Sequence, residues 1–189
     1  MYNISEDGIT LKKAAELCGG KLFGKNDKKI YGVSTDSRKI KESDLFFALL
    51  GENFDGNAFI PQAMEKGAVC AVTSRKDNFP FPYILVDDTL KALGDFAKNY
   101  KSRFSLLTVG VTGSVGKTST KEFIYAVLSQ KYKTAKTDGN FNNEIGMPLT
   151  LIGIDSSYEA AVIEMGMRGM GEISYLTKIA RTDIAVITN

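Results

Sequence analysis

Apolar residues recur along this chain with two periods, and the change of period marks out its elements. Leu11, Ala14, Ala15 and Leu17 fall at helical spacing after Thr10, whose hydroxyl suits an N-cap, and Gly19-Gly20 follow as a stop. A short capped helix is expected there. Lys29 to Val33 and Asp44 to Leu50 read as strands joined by the polar stretch Ser34-Thr35-Asp36-Ser37-Arg38, and a polar loop between two strands makes a binding edge. Ala58 to Lys66 reads as a helix ended by Gly67 and Ala68 to Thr73 as a strand. Tyr83 to Val86 is a further strand after the break Phe79-Pro80-Phe81-Pro82. Residues 1–86 therefore form a small α/β unit. Leu90, Leu93, Phe96, Ala97 and Tyr100 then give an amphipathic helix from Thr89 to Arg103, a linker helix within 87–104.

From Ser105 the rhythm changes. Strand (Leu106 to Val111), glycine loop, helix (Lys117 to Gln130), strand (Lys133 to Lys136), helix, strand (Ala160 to Glu164), helix and strand (Asp183 to Thr188) succeed one another. Such alternation is the pattern of a parallel sheet with crossover helices, so 105–189 is read as a second α/β domain.

With 43% apolar and 24% charged residues in 189, the chain has the composition of an ordinary folded protein, not of a disordered or fibrous one. The net charge of +2 and the scattered lysines give no ground for a nucleic-acid partner, and Lys12-Lys13 and Lys28-Lys29 read as solvated faces. Two distant cysteines, Cys18 and Cys70, and no histidine exclude a zinc cluster and any Ser-His or Cys-His machinery. Both thiols are expected to be buried, in a reducing compartment. Met1 to Asp7 lacks the basic start and apolar run of a signal peptide, and no stretch of about 18 apolar residues occurs. A cytoplasmic protein with no membrane partner is expected.

The chemistry begins where Leu106 to Val111 runs into Thr112-Gly113-Ser114-Val115-Gly116-Lys117-Thr118-Ser119 and then a helix. Strand, glycine loop and helix are the setting a phosphate-binding loop requires. The glycines let backbone N–H groups face phosphates, the helix N-terminus adds positive potential, Lys117 meets the outer phosphates, and the Thr118 hydroxyl can hold magnesium. The general loop pattern asks for glycine five residues before Gly116, where Val111 stands, so only the core Gly-x-x-Gly-Lys-Thr is kept.

That variant, Thr-Gly-x-x-Gly-Lys-Thr, resembles the nucleotide loop of the Mur ligases. Asn140-Phe141-Asn142-Asn143-Glu144-Ile145-Gly146-Met147-Pro148-Leu149-Thr150-Leu151, Glu164-Met165-Gly166-Met167-Arg168-Gly169-Met170-Gly171-Glu172-Ile173 and Ala185-Val186-Ile187-Thr188-Asn189 are similar to stretches of the member that adds a dipeptide. In the first domain Ser34-Thr35-Asp36-Ser37-Arg38, Asp44 to Leu49 and Gly51-Glu52-Asn53-Phe54-Asp55-Gly56 resemble the segments that hold the UDP-sugar end of the substrate. The family usually has histidine after Phe-Asp-Gly, and here Asn57 stands in its place. The resemblance implies a small UDP-sugar-binding α/β domain followed by part of a P-loop parallel-sheet ATPase domain.

It also implies an ATP- and Mg²⁺-dependent amide ligase acting as a monomer on UDP-N-acetylmuramoyl-tripeptide and D-alanyl-D-alanine, through an acyl phosphate. Lys117 would neutralise the β- and γ-phosphates, and Thr118 and Glu164 would hold the metal. Residues 112–119, Asn142 and Asn143 would lie at ATP, with Asn143 near the phosphates. Ser34, Thr35, Asp36, Ser37, Arg38, Phe54, Asp55, Gly56 and Asn57 would meet the UDP-sugar. Arg168 and Glu172 read as a solvated pair at a helix start. Family members carry a further half of the central domain, with a histidine and a carbamylated lysine tied to a second magnesium, and a third domain. The 189 residues are thus expected to be inactive alone. Two other readings stay open: a sibling ligase that adds the third residue, and a P-loop module that binds nucleotide without ligating.

Overall fold

The computed structural model describes residues 2–4, 7–25, 27–51 and 54–189. Met1, Ser5 and Glu6 of the amino-terminal reading, and Glu52 and Asn53 of the Gly51 to Gly56 segment, lie outside the described residues. The chain divides into two compact units, Met1–Phe96 and Ala97–Asn189.

In the first unit a helix and runs of short strands come first: β1 (Tyr2–Asn3), β2 (Ile9–Thr10), α1 (Leu11–Cys18), β3 (Lys21–Phe23), β4 (Lys29–Ile30), β5 (Gly32–Ser34), β6 (Asp44–Phe47), β7 (Leu50–Gly51) and β8 (Phe54–Asp55). A 3₁₀ turn (Gly56–Phe59), α2 (Ile60–Glu65), β9 (Cys70–Thr73), β10 (Tyr83–Leu85) and α3 (Thr89–Lys101) follow, and the division between units falls inside α3. The capping signals of α1 hold: Thr10 Oγ1 accepts the Lys13 N–H at 3.2 Å, and Gly19, at φ 67°, lets the Gly20 N–H close on the Ala15 carbonyl at 2.9 Å.

One sheet runs β1-β5-β6-β9-β10-β3, parallel at its centre and antiparallel at both edges. Every residue of β6 and β9 is buried, as strands covered on both faces must be. Two expected strands are corrected. Lys29 to Val33 breaks at Tyr31, whose N–H turns to the Ser43 carbonyl, so β4 pairs with β2 while β5 enters the main sheet. Asp44 to Leu50 ends at Phe47, because the Leu49 N–H folds back to the Phe47 carbonyl at 3.0 Å and Leu50 starts the hairpin β7–β8.

Both cysteines are free and buried in this unit. Desolvation pushes the Cys70 thiol up to about 12 and raises Cys18 well above its ordinary value. Neither forms thiolate near neutral pH, so native protein at pH 8 should leave a thiol reagent unreacted while denatured chain titrates both groups. Prompt reaction of either thiol in folded protein would contradict their burial.

The second unit adds β11 (Leu107–Gly113), α4 (Lys117–Leu128), β12 (Thr134–Lys136), α5 (Gly146–Ile152), β13 (Ala160–Glu164), α6 (Glu172–Ala180) and β14 (Ile184–Thr188). Its four strands, in the order β12-β13-β11-β14, are all parallel. The apolar run of β13 is buried throughout. Lys101, at the end of α3, is buried and donates to the Ala180 and Arg181 carbonyls at 2.7 and 3.1 Å, capping the C-terminus of α6. Among the described residues no helix is long and apolar enough to cross a membrane.

Candidate nucleotide and substrate sites

The sheet of the second unit brings the loop and the acidic residue together by register. β11 and β13 pair in parallel with Val111 opposite Glu164, so both strands deliver their carboxyl ends to the same edge, where ligands of open parallel sheets bind. Beyond Val111, residues 112–116 turn into α4 through Gly113 at φ 138° and Gly116 at φ 84°. Gly116 caps α4 without a side-chain acceptor, which leaves first-turn N–H groups for an anion. The Lys117 ammonium folds over the loop and donates to the Gly113 and Ser114 carbonyls at 2.6 and 3.2 Å. Val115 is exposed and its N–H reaches the Asn189 carbonyl at 2.5 Å. Thr112 Oγ1 donates to the Met165 carbonyl at 3.0 Å, and Ser119 lies exposed in the first turn of α4.

Glu164 is the centre of the arrangement. It is buried, and its Oε2 accepts the Thr118 hydroxyl at 3.0 Å. Two ligands of one magnesium at about 2.1 Å each can stand up to about 4 Å apart, so these two hard oxygens suit one ion. Among the described residues no three His, Cys, Asp or Glu side chains gather into a metal cage. A magnesium here would complete its shell with phosphate and water oxygens, the usual habit of an ion carried with a nucleotide. At the end of its strand Glu164 is a sealed carboxylate and does not face water.

The two asparagines divide their work. Asn142 Nδ2 donates to Glu164 Oε1 at 2.9 Å, whereas Asn143 Oδ1 caps the start of α5 by accepting the Gly146 and Ile145 N–H groups at 2.8 and 3.3 Å. Asn143 is thus tied to its own helix, and Asn142 is the one that meets the acidic residue. Glu172 accepts the Arg168 backbone N–H at 2.7 Å, fixing the turn before α6. Sequence reasoning missed Lys121 and Thr137. Lys121 is buried, 3.6 Å from Glu164 Oε2, and donates to the Thr137 carbonyl at 2.8 Å; the Thr137 hydroxyl oxygen accepts the Glu164 N–H at 3.0 Å. Spacing alone gave a weak signal, since Lys121 lies one turn beyond Lys117.

In the first unit the polar stretch after β5 forms one wall of a cavity of about 490 Å³ that also takes in Phe46, Phe54, Phe59 and Gln62. Ser34 Oγ bridges the Asp36 N–H and carbonyl. Asp36 accepts the Arg38 N–H and both arms of its guanidinium, at 2.9 and 3.0 Å to the side chain. Those hydrogen bonds from Arg38 hold the Asp36 carboxyl down at about 2, and Asp36 in turn raises Arg38. Ser37 Oγ donates to Gln62 Oε1 at 2.7 Å, and Thr35 completes the rim. Phe54 and Phe59 stack at 5.3 Å while half-exposed, an unusual display of apolar rings.

Asp55, Gly56 and Asn57 are held differently. Asp55 takes the Asn57 N–H and amide and pairs with Arg75 at 2.6 Å; the Asn57 amide oxygen accepts Thr73 Oγ1 at 2.6 Å. The side chain at the position where histidine was expected is therefore spent on protein contacts at both ends. Gly56 packs so tightly on the Ala48–Leu49 backbone that any Cβ would overlap it. These three shape the β8 turn.

Two family models match the chain: "Mur ligase family, catalytic domain" over residues 29–101 and "Mur ligase middle domain" over 111–189. The chain belongs to the Mur ligase family. Among the relatives of this Mur ligase chain, the UDP-N-acetylmuramoyl-tripeptide–D-alanyl-D-alanine ligase of Bacillus subtilis is 46% identical over 185 residues, 95% of this chain and 40% of that one. The structure of MurF from Acinetobacter baumannii superimposes with a TM-score of 0.91 at 32% identity, over 95% of this chain and 40% of the other. MurF from Thermotoga maritima, solved in complex with ADP, gives 0.76 at 38% identity over 82% of this chain and 36% of that one. The chain spans about 40% of the length of the curated relatives it matches. The loop and Glu164 fall within the middle-domain match, and the cavity-lining residues within the other.

Proposed function

We propose that the chain supplies the UDP-sugar-binding unit and the nucleotide-binding part of an ATP-dependent ligase, ADP-forming, that joins D-alanyl-D-alanine to UDP-N-acetylmuramoyl-tripeptide in cell-wall precursor synthesis. The observation that carries this reading is the 3.0 Å approach of Thr118 Oγ1 to Glu164 Oε2 at the mouth of a glycine loop that also presents Lys117. The relatives' names supply the substrates.

In such a reaction the residues position and neutralise; they exchange no bonds with the substrate. Lys117 leaves the loop carbonyls for the outer phosphates. The N–H groups of the loop and of the first turn of α4 donate to phosphate oxygens. Thr118 and Glu164 would hold Mg²⁺, which would supply charge neutralisation at the transferring phosphoryl group. Asn142 keeps Oε1 of Glu164 engaged so that Oε2 faces Thr118. In the first unit the Phe54–Phe59 pair offers an aromatic platform for a base or sugar ring, and Arg38, its fork oriented by Asp36, offers charge to a diphosphate.

Calorimetry with UDP-N-acetylmuramoyl-tripeptide tests the substrate assignment. The 189-residue chain should bind it, and Arg38→Ala should weaken binding about tenfold or more, the scale of one charge-assisted phosphate contact. No heat from the parent chain, or unchanged affinity in the variant, removes the Asp36–Arg38 loop from the substrate site. No ligation is expected from the 189 residues alone; turnover of ATP with D-alanyl-D-alanine would show that they need nothing further.

A further inference from the structure

Lys121 lies at the nucleotide edge and has no task in the proposed reaction. Its side chain is 2% exposed and that of Glu164 3%, and an ammonium sealed to that degree is costly unless a charge faces it. A neutral donor would serve the Thr137 carbonyl equally well. What calls for charge is Glu164 Oε2 at 3.6 Å, the same oxygen that accepts the Thr118 hydroxyl. Glu122 Oε1 lies on the other side at 3.4 Å, and Glu122 is bound in turn by Lys136, whose hydrogen bond lowers the glutamate's pKa. The four groups, two carboxylates and two ammoniums, sum to zero.

We propose that Lys121 is the resident counter-ion of the metal-holding carboxylate and makes metal binding conditional on the nucleotide's phosphates. This deepens the reading that Thr118 and Glu164 hold the magnesium of ATP and rests on it. A bare divalent cation meets a neutralised carboxylate beside a fixed positive charge, so its attraction to Glu164 is offset by repulsion from Lys121. A metal carried by a polyphosphate brings its own excess of negative charge, and the same ammonium then favours the complex. The frame is rigid, because Thr137 accepts the Lys121 ammonium on its carbonyl and the Glu164 N–H on its hydroxyl oxygen.

A structural and an electrostatic role differ in sign. If Lys121 only props up the site, removing it loosens Glu164 and metal binding falls; if it is the counter-ion, removing it frees a carboxylate and binding of bare metal rises. Mn²⁺, counted by electron paramagnetic resonance, is the probe, alone and with ADP. The proteins are the parent chain, Lys121→Met, Lys121→Gln, and each combined with Glu164→Gln. Lys121→Gln keeps a donor for the Thr137 carbonyl and guards against simple misfolding. The neutral variants should bind Mn²⁺ alone about tenfold tighter than the parent, and the gain should vanish in the Glu164→Gln background. A neutral variant that unfolds should regain its circular dichroism on adding Mn²⁺. Unchanged or weaker Mn²⁺ binding by a folded neutral variant, an equal gain without Glu164, or an unfolded variant indifferent to Mn²⁺ overturns the proposal. If Glu164→Gln alone leaves ADP-dependent Mn²⁺ binding intact, the metal assignment itself fails, a result separate from any on Lys121.

Discussion

Lys117→Ala in the complete enzyme should lower ligation by about 10³-fold or more while moving the thermal midpoint by no more than about 2 °C. The first figure follows from removing the fixed cation that faces developing phosphoryl charge. The second follows from what the side chain touches in the absence of ligand: two carbonyls of its own loop. Losing those bonds costs little because Ser114 is exposed and Gly113 is only half-buried, so that water can reach the carbonyls in place of the ammonium. A lysine at the first position of α4 is also opposed by the positive end of the helix dipole, so alanine recovers a few tenths of a kcal/mol. The decisive measurement pairs turnover with calorimetric unfolding of the same preparation. Normal turnover would sink the phosphate-loop reading, and loss of activity together with unfolding of the second unit would make Lys117 a structural residue.

The loop was legible in the sequence because each of its tasks restricts residue type at a fixed offset. Gly113, Gly116, Lys117 and Thr118 are placed by chemistry, and the alternation of strands and helices after residue 105 places them on a sheet edge. The parallel sheet followed from the same alternation, since crossover helices force neighbouring strands to run the same way. In the first unit, strands of two to four residues are too short to show a period, which is why β1, β3 and β8 went unread and why Lys29 to Val33 looked like one strand. The hairpin β7–β8 and the break at Tyr31 are set by tertiary hydrogen bonds that no local pattern encodes.

At the site, the hidden residues are those whose role contradicts their type. A lysine on a helix reads as solvent-facing, so Lys121 shows itself only through burial and the facing carboxylate. Asn142 and Asn143 are adjacent and alike, and only the fold assigns one to Glu164 and the other to the cap of α5. Asn57 shows the same limit from the other side. The sequence places it at a substrate-binding position, and only the fold shows that Asp55 and Thr73 hold its amide.

Gly113 separates two reasons for a glycine in a phosphate loop. The sequence gives the first, close approach of backbone to phosphate. The structure adds a second that acts without ligand: Gly113 pairs with Thr188 in the parallel register of β11 and β14, and a Cβ there would overlap the Thr188 hydroxyl and carbonyl. Its φ of 138° is also closed to ordinary side chains. Gly116, at φ 84°, carries backbone strain alone, because a Cβ would find its nearest neighbour, Thr188 Cβ, at 3.9 Å. Gly113→Ala should therefore cost about 3–5 kcal/mol, strain plus overlap, against about 1–2 for Gly116→Ala. The overlap cannot be relieved by a rotamer change, since one of the atoms met is backbone, so β14 must move away and take the Thr188 hydroxyl bond to the Thr112 carbonyl with it. Thermal midpoints should fall in the order parent, Gly116→Ala, Gly113→Ala, with the last lower by about 6 °C or more. Hydrogen exchange should show the loosening in β14 of Gly113→Ala and not of Gly116→Ala. Equal midpoints for the two variants, or protection of β14 that survives Gly113→Ala, would leave phosphate approach as the sole requirement for glycine at this position.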